Sequence, residues 1–207
     1  MVAEKGFITD IEIINDCFKE GFEKEEFEGW KYDLALGNQY FISSNEVPEQ
    51  LSRINPFLVI KPGEFALLIT DEVLKMRMDI MAFISIRFKY KQQGLINISG
   101  FHVDPGYQGR IIFSVYNAGP NDIVLRKGDR VFMIFFQGIG IEMYEKSTRQ
   151  CYNNIPMEMI SLIQGKSASL ARNTERLDRL EHYIKLYGGI AISIIAVLIG
   201  VLLSKYF

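Results

Sequence analysis

Short apolar runs, broken by turn residues, fill the chain to about residue 136. KYDLALGNQYFI (31–42), FLVIKPGEFALLIT (57–70), INISGFHV (96–103), GRIIFSVYNAG (109–119) and RVFMIFFQ (130–137) are rich in Ile, Val, Phe and Tyr, and are bounded by Gly, Pro, Asn and Asp. That is the pattern of short strands. The Pro62-Gly63 pair between two apolar runs predicts a hairpin, and PNDIVLRKGDRVFMIFF repeats the device with Lys127-Gly128-Asp129 at the corner. Turns spaced this regularly predict a mainly β sandwich or barrel. One amphipathic helix opens the chain, with Thr9 or Asp10 in position to cap it and Ile11, Ile14, Cys17 and Phe18 on one stripe.

The periodicity then changes. Over 156–187, Ile163, Leu170, Leu177 and Ile184 recur every seventh residue, with Lys166, Asn173, Leu180 and Tyr187 at the complementary heptad positions. A narrow seam beside a wide charged face fits a coiled coil better than a helix packed on its own domain. From Leu186 to Ser204, LYGGIAISIIAVLIGVLLS carries no charge. At 1.5 Å per residue such a helix spans about 30 Å, the thickness of a bilayer's hydrocarbon core. Tyr187 on one side and Tyr206 and Phe207 on the other stand where interfacial aromatics belong. Arg172, Arg176, Arg179 and Lys185 precede the segment and only Lys205 follows it, which places the N-terminal domain in the cytoplasm by the positive-inside rule. The expected organisation is a β domain over 1–150, an amphipathic or coiled-coil helix over 156–187, and a single-pass tail anchor over 186–204.

Composition narrows the chemistry. The 207 residues are 48% hydrophobic and carry a net charge of −2, so no basic field points to nucleic acid. Cys17 and Cys151 show no disulfide-framework spacing, and His102 and His182 are the only histidines, too few donors for a His-Cys-Cys zinc site. MVAEKGFITDIEI lacks a charged stretch followed by an apolar one, so no signal peptide is expected.

Five landmarks occur in order: ITDIEI, KYDLALGNQY, PGEFALLITDE, GFHVDPGYQGRIIFSVYNAG and LRKGDRVFMIFF, between about residues 7 and 137. Together they resemble the deoxycytidine triphosphate deaminases, which are similar in turn to the trimeric dUTPases. The resemblance implies a distorted β-barrel or jelly-roll-like fold, assembled as a homotrimer with sites at subunit interfaces. A trimer also gives the coiled coil a purpose, since three neighbouring C-termini can zip together before they enter a bilayer.

The same resemblance assigns roles by position. The family's Gly-Arg-Ser-Ser-x-x-Arg segment, which holds triphosphate, falls on MAFISIRF, where only Arg87 matches. Ala82 stands in place of the first arginine, and Phe83 and Ile84 in place of the serines. A phosphate cradle needs donors and positive charge, which these side chains lack. The family's proton-transferring glutamate falls on Ser114, with Asn117 and Gly119 of its context intact. Metal-free deamination needs a carboxylate there, and a serine hydroxyl is far too weak a base; Ser114 reads instead as a strand residue filling a small space. Asp104, in VDPGYQG, matches the aspartate that activates water in the dUTPase branch, although an aspartate before Pro-Gly also serves simply to stabilise a turn. Arg87, Asn117 and Tyr107 are the implied substrate-binding positions. His102 reads as a satisfied strand histidine, and no metal ligands are assigned. The Lys-Tyr-Gln-Gly-Gln type of lid is absent, because CYNNIPMEMISLIQG runs directly into helix.

With cradle, glutamate and lid all missing, the expected protein is a membrane-anchored homotrimer that has shed deamination and serves a structural, sensing or interaction role. The alternative is an active deaminase or dUTP pyrophosphatase using Asp104, with magnesium brought by the nucleotide and no other cofactor. A third reading has the barrel bind a deoxynucleotide without chemistry. The lipid bilayer is the expected partner; a protein partner is left unidentified, with the loop SSNEVPEQLSRINP (43–56) one place for it to bind.

Overall fold

A computed structural model describes residues 3–141, 151–163 and 170–206, in two units, Met1–Ser167 and Ala168–Phe207. The first unit contains β1 (Gly6–Phe7), α1 (Ile11–Asn15), β2 (Phe18–Glu20), β3 (Tyr32–Ile42), β4 (Glu49–Gln50), β5 (Phe57–Ile60) and β6 (Phe65–Thr70). It continues through β7 (Val73–Lys75), β8 (Ile80–Ile86), α2 (Phe88–Lys91), β9 (Leu95–Asn97), β10 (His102–Val103) and β11 (Gln108–Gly109). It ends with β12 (Ile112–Asn117), β13 (Ile123–Arg126), β14 (Arg130–Gly138) and α3 (Met157–Ile163). The second unit holds α4 (Leu170–Tyr206).

The fold is mainly β, as expected. One curled antiparallel sheet runs β10–β8–β14–β3–β6–β12–β9, and two small sheets, β11–β7–β2 and β13–β5, cover its open sides. β8 and β12 alternate strictly between buried and half-buried residues, so each has one face on the core. β3 is buried on both faces for most of its length, Asp33 included. Phe113 of β12 and Phe132 of β14 are fully buried and stack at 3.9 Å between ring centroids. These strands are not neighbours in the sheet, so the stack spans the interior and ties its two halves together.

Both expected hairpins are corrected. β5 and β6 flank the Pro62-Gly63 turn, but β5 pairs with β13 while β6 pairs with β3 and β12. Likewise β13 and β14 flank Lys127-Gly128-Asp129 without pairing, because β14 lies between β3 and β8. Each turn is a corner at which the chain passes from one sheet to another. Leu58 and Ile60 on β5 and Ile123 and Leu125 on β13 are buried, so the β13–β5 ribbon closes the barrel with its own apolar face.

The opening helix is a five-residue turn of α1, and Asp10 caps it, accepting from the Glu12 N–H at 2.9 Å. Ile14 and Cys17 are fully buried, while Phe18 has already entered β2. Burial pushes the Cys17 thiol up to about 11. At Gly37 in β3, a Cβ would come within 2.7 Å of the Thr70 carbonyl oxygen, so glycine alone lets β3 pass this close to β6.

The segment after the barrel returns to it. Ile155 donates its N–H to Gln39 Oε1 at 2.7 Å, and buried Ile155 and Ile160 pack with Phe41, Leu67 and Ile69 on the outer face of the main sheet. Ile163, the first of the heptad positions, belongs to this cluster rather than to a seam. Lys166 and the expected boundary region at 142–150 lie outside the described residues. On α4, Leu177, Leu180, Ile184 and Tyr187 are exposed, and an 18-residue window within Arg176–Val201 reaches a mean hydropathy of 2.2, so this helix is long and apolar enough to cross a membrane.

Ile160→Ala removes the centre of the α3 contact. The unfolding free energy of the β domain should fall by about 2–5 kcal/mol, measured by urea titration of the detergent-solubilised protein against wild type. No change would mean that α3 does not dock on the sheet.

Candidate functional site

The loop Asp104–Tyr107 follows β10 and is held as a turn. The Tyr107 N–H donates to the Asp104 carbonyl at 3.2 Å, the Gly106 N–H to the Arg77 carbonyl at 3.2 Å, and the Met76 N–H to the Tyr107 carbonyl at 2.8 Å. Gly106, at φ +75°, supplies the left-handed residue that this turn requires. β10 itself is short and edges the sheet, with His102 opposite Phe83 and Val103 opposite Ala82 on β8.

This loop is one wall of a cleft of about 380 Å³. Asp104 and His102 line it, with His102 Nε2 3.5 Å from Asp104 Oδ1. Ser99 and Gly100 form a second edge, and Ile84, Val103, Ile111 and Ile112 the apolar floor. Tyr152 and Met159, from the segment that returns to the barrel, close the remaining side. That segment is fixed by the Arg110 N–H, which donates to the Tyr152 carbonyl at 2.7 Å. Gly109, at φ +133°, permits the approach, since a Cβ there would sit 2.6 Å from the same carbonyl oxygen. Tyr107 is half-buried beside it, and its hydroxyl donates to the Arg110 carbonyl. Burial raises the Tyr107 phenol well above its ordinary range.

Of the sequence-derived positions, Asp104 and Tyr107 therefore share the cleft. Ser114 lies on β12 with its side chain half-buried on the same face as Ile112 and Tyr116, and its carbonyl accepts from the N–H groups of Ile98 (2.8 Å) and Ser99 (3.2 Å). Asn117 is fully buried. Its amide donates to the carbonyls of Ile60 (2.8 Å) and Asn121 (2.9 Å), and its Oδ1 accepts from Gly119 N–H at 2.9 Å. Every polar atom of that side chain is thus spent on pinning the turns beside β5 and β12. Arg87 points to Asp33, Nε to Oδ2 at 3.1 Å, and leaves the cleft without its charge.

Asp33 opens a charged network that sequence reasoning missed. Lys31 pairs with it at 2.8 Å, and Arg130 donates to its carbonyl at 3.0 Å. Arg130 also reaches Glu72 at 2.6 Å and pairs with Glu23 and Glu26. Glu72 is buried to 1% exposure, and both its oxygens accept from the Ala35 N–H at 3.0 Å. Burial pushes the Glu72 carboxyl up to about 7, against the opposing pull of Ala35 N–H and Arg130. Its members are scattered from residue 23 to residue 130, and no local motif announces them.

On the outer face of β8, Phe83 and Phe101 stack nearly parallel, 6.2 Å apart. Ala82 is completely buried. The region that the resemblance equates with a phosphate cradle is therefore aromatic outside and packed core inside. A family model described as dCTP deaminase-like matches residues 18–139. The chain belongs to the dCTP deaminase-like family. The dCTP deaminase of Pyrococcus horikoshii is 30% identical over 130 residues, covering 62% of this chain and 80% of that one. That of Pyrobaculum neutrophilum is 34% identical over 125 residues, covering 54% and 70%. Among solved structures, the 2'-deoxycytidine 5'-triphosphate deaminase of Agrobacterium tumefaciens superposes with a TM-score of 0.54 at 16% identity, a likeness of fold. The match covers 65% of this chain and about half (49%) of that one. The dCTP deaminase-like match ends at residue 139, so α3, α4 and the wall formed by Tyr152 and Met159 lie beyond it.

Two outcomes test this assignment of side chains. Asn117→Ala strands two carbonyls and an N–H, and should cost about 2–4 kcal/mol of stability in denaturant unfolding; a stable variant would free Asn117 for a binding role. For Glu72, the native state holds a proton more tightly than the unfolded chain, in which the carboxyl titrates near 4.5. Its contribution is therefore fully present below pH 4.5 and is lost as pH rises through about 7. Glu72→Gln should flatten the fall in stability between pH 5 and 8 by on the order of 3 kcal/mol, and an unchanged slope would refute the burial argument.

Proposed function

We propose that this chain is a membrane-anchored, dCTP deaminase-like homotrimer without deaminase activity, serving as a structural, sensing or interaction module at the cytoplasmic face of a membrane. One observation carries this reading: no lysine or arginine is among the described residues lining the cleft, and its one carboxylate is Asp104. Triphosphate binding needs cations or clustered donors, and deamination needs a carboxylate able to pass a proton from water to leaving ammonia. Ser114, at the position that the family resemblance gives to that carboxylate, supplies neither.

The anchor reading rests on the uncharged segment 186–204 and on the charges flanking it. The trimer reading rests on the resemblance and on the exposed apolar row Leu177, Leu180, Ile184 and Tyr187, whose spacing suits a short parallel coiled coil. A bilayer is the partner of α4, and an unidentified protein remains the partner of the module.

A second reading draws on Asp104 alone. Half-exposed at the cleft and 3.5 Å from His102, it is placed to deprotonate water in a pyrophosphatase whose magnesium would arrive on the substrate phosphates.

The test is a product assay on the full-length protein in detergent, because α3 and Met159 belong to the folded unit and a fragment ending near residue 155 would strip them off. Incubated with dCTP, or separately with dUTP, plus magnesium, it should release no dUTP and no dUMP above blank, while light scattering gives three chains per particle. Product that disappears in Asp104→Ala would establish the enzyme reading instead.

A further inference from the structure

One outward face of the main sheet is aromatic and bare. Along β8, Met81, Phe83 and Ser85 point outward, and along β14, Met133, Phe135 and Gln137 do the same. None of these six carries a charge. Phe135 lies opposite Phe83 across the β14–β8 ladder. Phe101 stacks on Phe83 at 6.2 Å and Trp30 meets Phe135 at 5.3 Å, which makes a row of four rings across the strands. Phe7 of β1 adds to the face, opposite Gln137. Phe7, Trp30 and Phe101 are 65%, 54% and 65% exposed.

Elsewhere the same sheet covers its outward apolar residues. Phe41, Leu67 and Ile69 are at most 3% exposed, with Ile155 and Ile160 packed over them. The aromatic row receives no such segment among the described residues. At about 150–250 Å² per aromatic side chain, its three most exposed rings offer about 350 Å². The half-buried neighbours widen the patch to a size that monomers seldom leave bare.

What covers it follows from its chemistry. A lipid surface is recognised by apolar groups backed by free cations. At this margin Lys31 is paired with Glu28 and Asp33, Arg87 with Asp33, and Lys91 donates to the Ser85 hydroxyl. Uncharged aromatic and methionine side chains are instead the composition of the buried centre of a protein–protein contact. α4 presents a second bare apolar row, Leu177, Leu180, Ile184 and Tyr187. Arg176 and Glu181 flank that row at heptad positions g and e, where parallel neighbouring helices bring opposite charges together. Glu181 also meets Lys185 along its own helix at 3.3 Å. A further copy of this chain has an α4 that fits the second row, and it brings a β domain to the first.

We propose that the aromatic outer face of β8 and β14, built on Phe83, Phe135, Phe101 and Trp30, is the surface through which copies of this chain pack together. The proposal rests on the homotrimer reading above and deepens it by naming the contact. In a closed ring of three such a contact is heterologous. Each copy then buries this face against a different surface of its neighbour.

Trp30 is the chain's only tryptophan, so its fluorescence reads this face alone. The experiment is acrylamide quenching of the full-length protein in detergent, with light scattering on the same samples. At three chains per particle, Trp30 should be quenched severalfold less than in the urea-unfolded chain. Phe101→Glu, separated from Trp30 by the rings of Phe83 and Phe135, should raise that quenching severalfold with an unchanged far-ultraviolet circular dichroism spectrum. That rise is expected whether or not α4 alone keeps the particle at three chains. Equal quenching in wild type and variant, both at three chains, would overturn this contact and leave the homotrimer standing. A wild type at one chain per particle would overturn both. In vesicles of brominated phosphatidylcholine, quenching of Trp30 by the bromine would assign the face to lipid and sink the proposal. Should Phe101→Glu not fold, Phe101→Ser, which adds no charge, supplies the same readout.

Discussion

The Glu72–Arg130 pair sets the terms for the rest of the β domain. A carboxylate at 1% exposure is tolerable only where charge and hydrogen bonds meet it from several sides. Arg130 of β14 and the Ala35 N–H of β3 do so at 2.6 and 3.0 Å. Three chain segments are thereby joined at one point: the corner before β7, the doubly buried β3, and the start of β14. Removing Arg130 would leave the buried Glu72 carboxyl without its cation, whereas Arg130 keeps Glu23 and Glu26 when Glu72 is removed. The consequence reaches the candidate chemistry. Asp33, whose carbonyl Arg130 also binds, draws in Arg87 at 3.1 Å. The one residue that matches the family's phosphate segment is thus held in a structural network and turned from the cleft.

The cleft is shaped by that diversion and by a second one. Its described lining sets Asp104, His102 and Ser99 over an aliphatic floor, with Tyr152 and Met159 closing one side. The second change depends on backbone geometry. Gly109 lets the returning chain lie against β11, and Ile155 and Ile160 provide the burial that keeps it there. The segment 151–163 is therefore part of the core of the first unit.

What the sequence revealed follows physical locality. Strands β3, β12 and β14 were legible because each carries its own periodicity, and the cap of α1 was legible to within Thr9 or Asp10 because capping is a local matter. Partners were not legible. Pro62-Gly63 and Lys127-Gly128-Asp129 specify a reversal of direction, but a reversal between sheets looks the same locally as one within a hairpin. β8 has its own alternation, with Ala82, Ile84 and Ile86 inward and Met81, Phe83 and Ser85 outward, but the same residues also fall on the family's phosphate segment, so one stretch carries two readings. Asp104 and Tyr107 came out together because one turn holds both. The Asn117-x-Gly119 spacing carried a second meaning, that of a side chain folding back on the N–H two residues on. The charge network and the wall made by Tyr152 and Met159 rest on contacts across dozens of residues, which no window on one sequence contains.

On the proposed reading, β8 shows how fold and chemistry can separate. Ala82 is wholly buried and Ile84 nearly so, each on the inward face of a strand between β10 and β14. An arginine at 82 would have to place its charge in that packed interior, where no described acidic group pairs with it, and an unpaired buried charge costs several kcal/mol. Phe83, on the outward face, gains its stacking with Phe101 at no cost to the core. Restoring the cradle therefore requires remodelling β8 and its neighbours as well as exchanging side chains. The barrel's core is satisfied at this strand by Ala82, Ile84 and Ile86.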